Sequence, residues 1–144
     1  MFLDASAIVA ILGDEEEAGL MLAKIKAARD GLFYSPVAVY EAVLSLARKR
    51  AGPGRNDAPI PPGVIDRSEE FVGRFLQEIG AREITVTTDI GFLAVAASKI
   101  YGRAVGHPAK LNMGDCFAYA CARSLNAPLL FKGNDFPHTD VVPA

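Results

Sequence analysis

Three carboxylates stand alone in otherwise apolar segments of this sequence. Each is the only charged residue in a run of twelve or more positions: Asp4 in 2–13, Glu41 in 32–47 and Asp115 in 111–122. Such segments belong in a hydrophobic core, where an ionised carboxylate is costly unless it is hydrogen-bonded, paired with a cation or bound to a metal. The three acids are therefore candidate site residues.

Hard divalent cations suit this set of side chains. Mg²⁺ and Mn²⁺ prefer carboxylate oxygens, whereas zinc usually takes His or Cys ligands. The two histidines, His107 and His138, each stand beside a proline in segments typical of loops. Two such ions a few ångströms apart clamp a phosphodiester and activate a water for attack. The acids thus predict hydrolysis of a nucleic-acid backbone.

A fourth acid follows a late apolar run. Asp135, in FKGNDF, comes just after the run 128–131. Plainer interpretations are open for the others: Asp4 caps a helix, Asp115 complements a helix dipole, or Glu41 pairs with a buried Arg or Lys. The sequence shows no dedicated cation for Glu41, and the joint pattern favours one shared site.

Short apolar runs alternate with segments of helical period, which indicates an α/β domain with a mainly parallel sheet. The expected strands are 1–3, 32–34, 84–87, 128–131 and 141–142. Asp4 ends the first strand, at the edge where an open parallel sheet forms its binding crevice. Glu41 is expected in the middle of one helix, and Asp115 at the start of another that covers 116–125.

Composition limits the class of protein. With 144 residues, 51% of them hydrophobic, the chain is long enough to bury a real core, and we expect a single domain over 1–144. The net charge of −2, from 15 basic and 17 acidic residues, gives no overall attraction to a polyanion. Contact with nucleic acid must then depend on local patches or on bound cations.

A cytoplasmic protein without a membrane segment is expected. The longest stretch free of Asp, Glu, Lys and Arg is the ten residues 31–40, well short of the ~20 apolar residues of a membrane span. The start, MFLD, has no basic region before its first acid. Cys116 and Cys121 are expected on different faces of one helix, as buried free thiols.

The stretch 48–63, RKRAGPGRNDAPIPPG, is rich in Pro and Gly and lacks periodicity, which predicts a surface loop with an insertion near 51–63. Two interpretations are open for its basic residues: they lie at a solvated helix end, or they contact RNA phosphates. These residues are Arg48, Lys49, Arg50 and Arg55. Lys132, in FKGND, is the better candidate for a phosphate contact because it adjoins the acidic site.

Several segments together carry a resemblance to a known family. The chain begins FLDASAIVAIL and continues with SPVAVYEAVLSLARKR and LNMGDCFAYACARSLNAPLLFKGNDF, followed by Thr139 and Asp140. These segments resemble the PIN-domain family, and more closely its VapC-type toxin ribonucleases, which share an N-terminal hydrophobic-Asp-x-Ser/Thr motif. The motif DASA alone is a weak signal, but the combination covers nearly the whole chain and is specific.

The resemblance implies a fold and a set of site residues. The fold is a three-layer α/β/α domain with a central, mainly parallel sheet of four to five strands. Asp4, Glu41 and Asp115 would be the acids that bind Mg²⁺ or Mn²⁺, and Ser6 would orient a ligand or water beside Asp4. For Ser6 the alternative is a helix N-cap.

The fourth acidic position of the family lies in the loop after the penultimate strand. Either Asn134 or Asp135 occupies that place here, and we favour Asp135. If Asn134 is the equivalent residue, the site has one negative charge fewer and holds a second metal ion less tightly in the absence of substrate.

The resemblance also implies an activity and partners. A VapC-type protein is an endoribonuclease toxin of a type II toxin–antitoxin system, and the activity implied here is two-metal hydrolysis of RNA, at a tRNA or rRNA loop. Its partners would be a cognate VapB-type antitoxin and a second copy of the chain. The Pro-rich insertion 52–63 departs from the family pattern. It affects how the edge of the groove and the antitoxin-binding helices would be arranged.

Other functions compete with this hypothesis. A phosphatase or phosphotransferase could use Asp4 as its nucleophile, but such enzymes usually carry a second Asp two residues later, where this chain has Ser6. A non-catalytic module that holds one structural Mg²⁺ would combine a pair of adjacent N-terminal acids with a late lysine, and here Asp4 has no acid next to it. A PIN-like domain that binds RNA without cutting it is disfavoured by the presence of Asp4, Glu41 and Asp115.

Overall fold

A parallel sheet of four very short strands organises the chain. In the computed structural model, which describes residues 1–52 and 58–144, all four strands are parallel and lie in the order β3-β2-β1-β4. The strands are β1 Phe2–Leu3, β2 Phe33–Tyr34, β3 Arg82–Glu83 and β4 Leu129–Leu130. The parallel sheet predicted from the sequence is confirmed.

Six α-helices in the described residues connect and cover the strands. They are α1 Ala5–Leu12, α2 Ala18–Ala27, α3 Pro36–Arg50, α4 Pro62–Glu78, α5 Thr88–Tyr101 and α6 Met113–Ser124. Side-chain caps mark where several of them begin: Ser35 accepts a hydrogen bond from the Ala38 amide at the start of α3, and Thr87 accepts one from Ile90 in α5. Such caps satisfy backbone donors that have no partner within the helix.

The sheet separates two hydrophobic cores. Successive side chains of a strand point to opposite faces, so Phe2 packs with α5 and α6, whereas Leu3 packs with α1 to α4. Leu129 and Leu130 divide between the same two cores. The result is the predicted three-layer α/β/α arrangement.

Strand order places a crevice beside β1. The chain passes from β1 to β2 and β3 on one side, then returns to add β4 on the other side of β1. In an open parallel sheet, ligands bind at such a reversal, outside the carboxyl ends of the strands. Asp4 follows β1 directly, and its amide donates to the Leu130 carbonyl in β4 (3.0 Å).

Two expected strands are wrong: one is shifted along the chain and the other does not form. The third strand is Arg82–Glu83 rather than 84–87, because pairing ends at the Ile84 amide and Thr87 is used to cap α5. No strand forms at 141–142; the segment pairs with the sheet through an isolated bridge between Leu129 and Pro143. In this bridge the Leu129 amide donates to the Val142 carbonyl and the Ala144 amide donates to the Leu129 carbonyl (both 2.9 Å), which is too short a ladder to form a strand.

Helix boundaries also differ from the expected ones. The helix expected at 116–125 begins earlier, at Met113, and α3 continues through Arg50, so the loop begins at 51 rather than 48. Arg55 and the middle of the expected insertion fall in 53–57, outside the described residues. Cys116 and Cys121 are buried free thiols, as predicted. In the described part of the chain, no helix has the length and apolar character needed to cross a bilayer.

Candidate active site

A cleft of about 370 Å³ opens at the carboxyl edge of the sheet, beside β1 and β4. It brings together residues from α1, the turn before α2, α3, the start of α6 and the end of β4. They are Asp4, Ala5, Ser6, Val9, Glu15, Glu41, Ser45, Asn112, Asp115 and Lys132. Three acids that are far apart in the sequence, Asp4, Glu41 and Asp115, therefore share one cleft.

Asp4 is the most deeply buried of these acids, with 4% of its surface exposed. Its Oδ2 accepts hydrogen bonds from the Ser6 amide (2.9 Å) and from the Ser6 hydroxyl. Burial raises the pKa of the Asp4 carboxyl; the bonds from Ser6 oppose this rise, and the charge of Asp135 adds to it. Asp4 is also the N-cap of α1, so the capping interpretation and the site interpretation both hold for this residue.

Ser6 connects the ends of two strands. Its hydroxyl donates to Asp4 after β1 and accepts from the backbone amide of Lys132 after β4 (2.9 Å). The alternative that Ser6 is itself a helix N-cap is wrong, because Asp4 occupies that position and Ser6 lies inside α1. Ser6 holds the Asp4 carboxylate in place.

Glu41 reaches the cleft from the middle of α3, as the sequence predicted. Burial, followed by the negative charges of Asp4 and Asp115, raises its pKa to about 7. Its carboxylate rests on Gly114: a Cβ atom at position 114 would lie only 1.8 Å from Glu41 Oε2. The missing side chain of Gly114 makes the space in which this carboxylate sits.

Asp115 enters the cleft from the first turn of α6. It forms a capping box with Asn112: Asp115 Oδ2 accepts from the Asn112 amide (2.8 Å), and Asn112 Oδ1 accepts from the Asp115 amide (3.0 Å). Burial is the largest cause that raises the pKa of Asp115, to about 6, and the charges of Asp4 and Asp135 add to it. The Asn112 bond and Arg103 act in the opposite direction.

The fourth acidic position is less closely connected to the cleft. Asn134 and Asp135 are both exposed, and neither lines the cleft. Asp135 nevertheless lies close enough for its charge to raise the pKa of Asp4 and of Asp115. The assignment of Asp135, with Asn134 as its alternative, stays a prediction.

Contacts at both ends hold the loop that carries these two residues. Before the loop, the Lys132 amide is bonded to Ser6. After it, Tyr119 donates to Asp140 (2.6 Å), which also pairs with Arg123 (3.3 Å). The loop therefore follows a defined path past the cleft.

No Lys, Arg or His forms an ion pair with any of the three central acids within residues 1–52 and 58–144. The ion pairs there involve other carboxylates, and no three His, Cys, Asp or Glu side chains form a ready-made set of metal ligands. Mg²⁺ keeps several waters and usually takes only one or two carboxylates from the protein. Clustered carboxylates with raised pKa values and no paired base fit a hydrated divalent ion of this kind.

Sequence reasoning missed several residues of the cleft. Glu15 lies in the acidic run 14–17, which is typical of a solvated turn, and only tertiary packing brings it to the cleft. Asn112 could have been found, because Asn followed three positions later by an acid is a capping-box spacing. The role of Gly114 depends on Glu41, which lies far away in the sequence.

Comparison with known proteins identifies the family. The model of the PIN domain matches residues 1–142 of the chain. The chain belongs to the PIN-domain family. Within it, the chain is similar to a VapC ribonuclease of Rhizobium meliloti, at 40% identity over 97% of this chain and 98% of that protein. It is also similar to ribonuclease VapC42 of Mycobacterium tuberculosis, at 34% identity over 100% and 98% of the two chains.

Solved structures agree on the PIN fold. The crystal structure of VapC20 of Mycobacterium tuberculosis, a toxin that cleaves the sarcin–ricin loop, superposes with a TM-score of 0.72 at 14% identity and covers 99% of this chain and 97% of its own. A toxin–antitoxin complex from Klebsiella pneumoniae gives a TM-score of 0.65 at 18% identity, over 99% and 95% of the chains. The predicted resemblance to VapC-type PIN domains is confirmed.

The contact between Glu41 and Gly114 generates one prediction. In Gly114→Ala, the new methyl group should push the Glu41 carboxylate out of the PIN-domain cleft toward water, because the side chain is flexible and the helix backbone is not. The pKa of Glu41, followed by ¹³C NMR titration, should fall toward the usual value of a glutamate.

The matched control is Gly73→Ala in α4, where an added Cβ meets nothing within 4 Å. It should leave the titration of Glu41 unchanged. A Glu41 pKa that stays near 7 in Gly114→Ala would show that the close approach does not define the position of this carboxylate.

The raised pKa of Glu41 generates a second prediction. A carboxyl whose pKa is higher in the folded protein contributes stability below its unfolded pKa and loses that contribution as the pH rises through its folded pKa. Glu41→Gln should therefore raise the Tm of the metal-free protein at about pH 8, by roughly 2–4 °C, and have less effect at about pH 5. Differential scanning calorimetry in EDTA measures this, with Glu78→Gln on the exposed face of α4 as control. An equal shift at both pH values would contradict the electrostatic cause.

Proposed function

We propose that this chain is a metal-dependent endoribonuclease, the toxin of a type II toxin–antitoxin system, and that it hydrolyses RNA by a two-metal-ion mechanism. The observation that carries the proposal is the meeting of Asp4, Glu41 and Asp115 in one cleft, where none of the three forms an ion pair with a described residue. The family supports it, since VapC ribonucleases are similar to the chain over nearly its full length.

Each acid has a separate part in the proposed site. Asp4 and Asp115 would hold Mg²⁺ or Mn²⁺ from the end of β1 and the start of α6, and Glu41 would add a third carboxylate from α3. Asp135, or Asn134 in its place, approaches from the loop after β4. Ser6 keeps the Asp4 carboxylate oriented through its hydroxyl and amide.

Bound Mg²⁺ or Mn²⁺ supplies Lewis acidity and lowers the pKa of a water for attack on the phosphodiester. The chain supplies the conditions for this chemistry. Burial is the main cause that raises the pKa values of Glu41 and Asp115 in the metal-free state, and repulsion from the neighbouring carboxylates adds to it. A divalent ion relieves that repulsion, so the same charges that make the empty cleft unfavourable make cation binding favourable.

The proposed substrate is RNA at a tRNA or rRNA loop, and the proposed partners are a VapB-type antitoxin and a second copy of the chain. Support for the substrate is the fold shared with a toxin that cleaves the sarcin–ricin loop. Support for protein partners is the toxin–antitoxin complex of the same fold, together with large apolar side chains exposed on α5 and α6. These include Phe92 (70% exposed), Val95 (54%), Ile100 (57%) and Met113 (66%).

Cleavage of RNA tests the proposed activity. Purified protein, free of antitoxin, should cut total RNA with Mg²⁺ or Mn²⁺ and leave it whole in EDTA. Asp4→Asn should reduce the rate by roughly 100-fold or more, since it removes a charge from the site. Asparagine is also a good N-cap, so α1 should still form.

The matched control is Asp89→Asn, which neutralises an exposed acid in the first turn of α5 and should cut at the wild-type rate. RNA that stays intact, while phosphate is released from a small ester, would support a phosphatase that uses Asp4 as nucleophile. RNA bound but never cut would support a non-catalytic module.

Metal binding should be visible in stability alone. Millimolar Mn²⁺ should raise the Tm of the wild-type protein by a few degrees, because a ligand that binds only the folded state stabilises it by mass action and each kcal/mol raises the Tm of such a domain by about 3–4 °C. Asp115→Asn should show a smaller rise, and Asp89→Asn the full rise. An unchanged Tm in the wild type would mean that the acids do not bind the ion.

A further inference from the structure

Lys132 has a singular place in the cleft. Of the lining residues in the described chain, four are acids and Lys132 is the only cation. Its backbone is held next to the site, because its amide donates to the Ser6 hydroxyl that also contacts Asp4. Lys132 is thus fixed at its backbone, while its long side chain can change direction.

In this structure two glutamates form ion pairs with the Lys132 ammonium. It pairs with Glu15 and with Glu17 (2.9 Å), both from the turn between α1 and α2. Glu15 has a second partner, Lys49 at the end of α3 (2.5 Å). The two lysines and two glutamates form a short chain of alternating charge along the rim of the cleft.

The Lys132 ammonium can separate from Glu15 and Glu17 without leaving a buried carboxylate unpaired. Glu15 keeps its contact with Lys49, and the Glu17 side chain is 45% exposed and returns to water. The Lys132 and Glu17 side chains are 35% and 45% exposed, and ion pairs open to solvent contribute little to stability, because water screens them and ordering two long side chains costs entropy. A phosphate group entering the cleft can therefore compete for the Lys132 ammonium.

Charge balance gives such an exchange a function. RNA is a polyanion, and the lining of the cleft carries four carboxylates against one lysine. Divalent ions would offset the charge at the centre, and a cation of the chain itself would favour binding of a phosphate next to the one being cut. Lys132 is the cation within the lining that can supply it.

Resting on the proposed ribonuclease function, we propose that Lys132 binds an RNA phosphate beside the site of cleavage, and that Glu15 and Glu17 hold its ammonium at the rim until RNA displaces them. The two glutamates are positioning residues, and they weaken RNA binding by competing with the phosphate. Lys132 adds no sequence specificity, because it contacts the RNA backbone and not a base.

RNA affinity is the direct test. A fluorescein-labelled single-stranded RNA is titrated with the full chain in EDTA over a range of KCl concentrations, and fluorescence anisotropy gives Kd. Lys132→Met should raise Kd by roughly three- to tenfold and reduce the slope of log Kd against log salt concentration by about 0.7, the value for one phosphate contact with a single strand. Lys132→Arg should restore both. Lys26→Met, on the exposed face of α2, should change neither.

A double-mutant cycle tests the role of the two glutamates. Glu15→Gln/Glu17→Gln should lower Kd by roughly threefold in the wild-type background and should have no effect on Kd when combined with Lys132→Met. A decrease that persists with Lys132→Met would show a general charge effect and overturn the competition. An unchanged Kd and salt slope in Lys132→Met would overturn the phosphate contact.

Cleavage with Mg²⁺ is measured on the same proteins. With the wild type active, Lys132→Met should raise KM by the same factor as Kd while kcat changes less than KM, as expected for a binding contact. A chain that binds RNA through Lys132 but never cuts it would end the ribonuclease proposal and leave the binding site. A chain that cuts RNA with no contribution from Lys132 would overturn the Lys132 phosphate contact and leave the ribonuclease proposal standing.

Discussion

The Ser6 hydroxyl is the contact on which the geometry of the cleft depends. It donates to Asp4 at the end of β1 and accepts from the Lys132 amide at the end of β4. These are the two strands between which the strand order reverses. With strands only two residues long, the sheet offers few backbone bonds to hold its carboxyl edge together. A side-chain oxygen completes that edge and, in the same position, orients the most deeply buried acid.

The acids near this contact reduce the stability of the folded chain. Glu41 and Asp115 have pKa values raised to about 7 and about 6, chiefly because both are partly buried. A fold selected for stability alone would separate these carboxylates or give each a lysine. Their helices instead point them toward one another, which is typical of sites where stability is given up for binding.

Much of this arrangement could be predicted from sequence because it rests on local contrasts. Asp4, Glu41 and Asp115 are conspicuous since nothing else near them is charged, and the alternation of apolar runs with helical periods indicated the parallel sheet. The strand at 82–83 was misplaced because Ile84 and Val86 have the apolar character of a strand but lead into the cap of α5.

What could not be predicted depends on contacts between distant segments. Glu15 lies in a run of acids that resembles any solvated turn, and only the packing of α1, α3 and β4 brings it to Lys49 and Lys132. The choice between Asn134 and Asp135 depends on how a loop passes the cleft, and adjacent polar residues carry no periodic signal to decide it.

The close fit between Glu41 and Gly114 has a consequence for how relatives of this chain can diverge. An added Cβ at 114 would overlap the Glu41 carboxylate, at 1.8 Å from Oε2 and 2.0 Å from Cδ. A homologue with alanine or serine at this place would keep its carboxylate in the cleft only with a shorter acid, such as aspartate, on the facing helix. The two positions should accordingly covary among relatives that keep an acid in this part of the cleft.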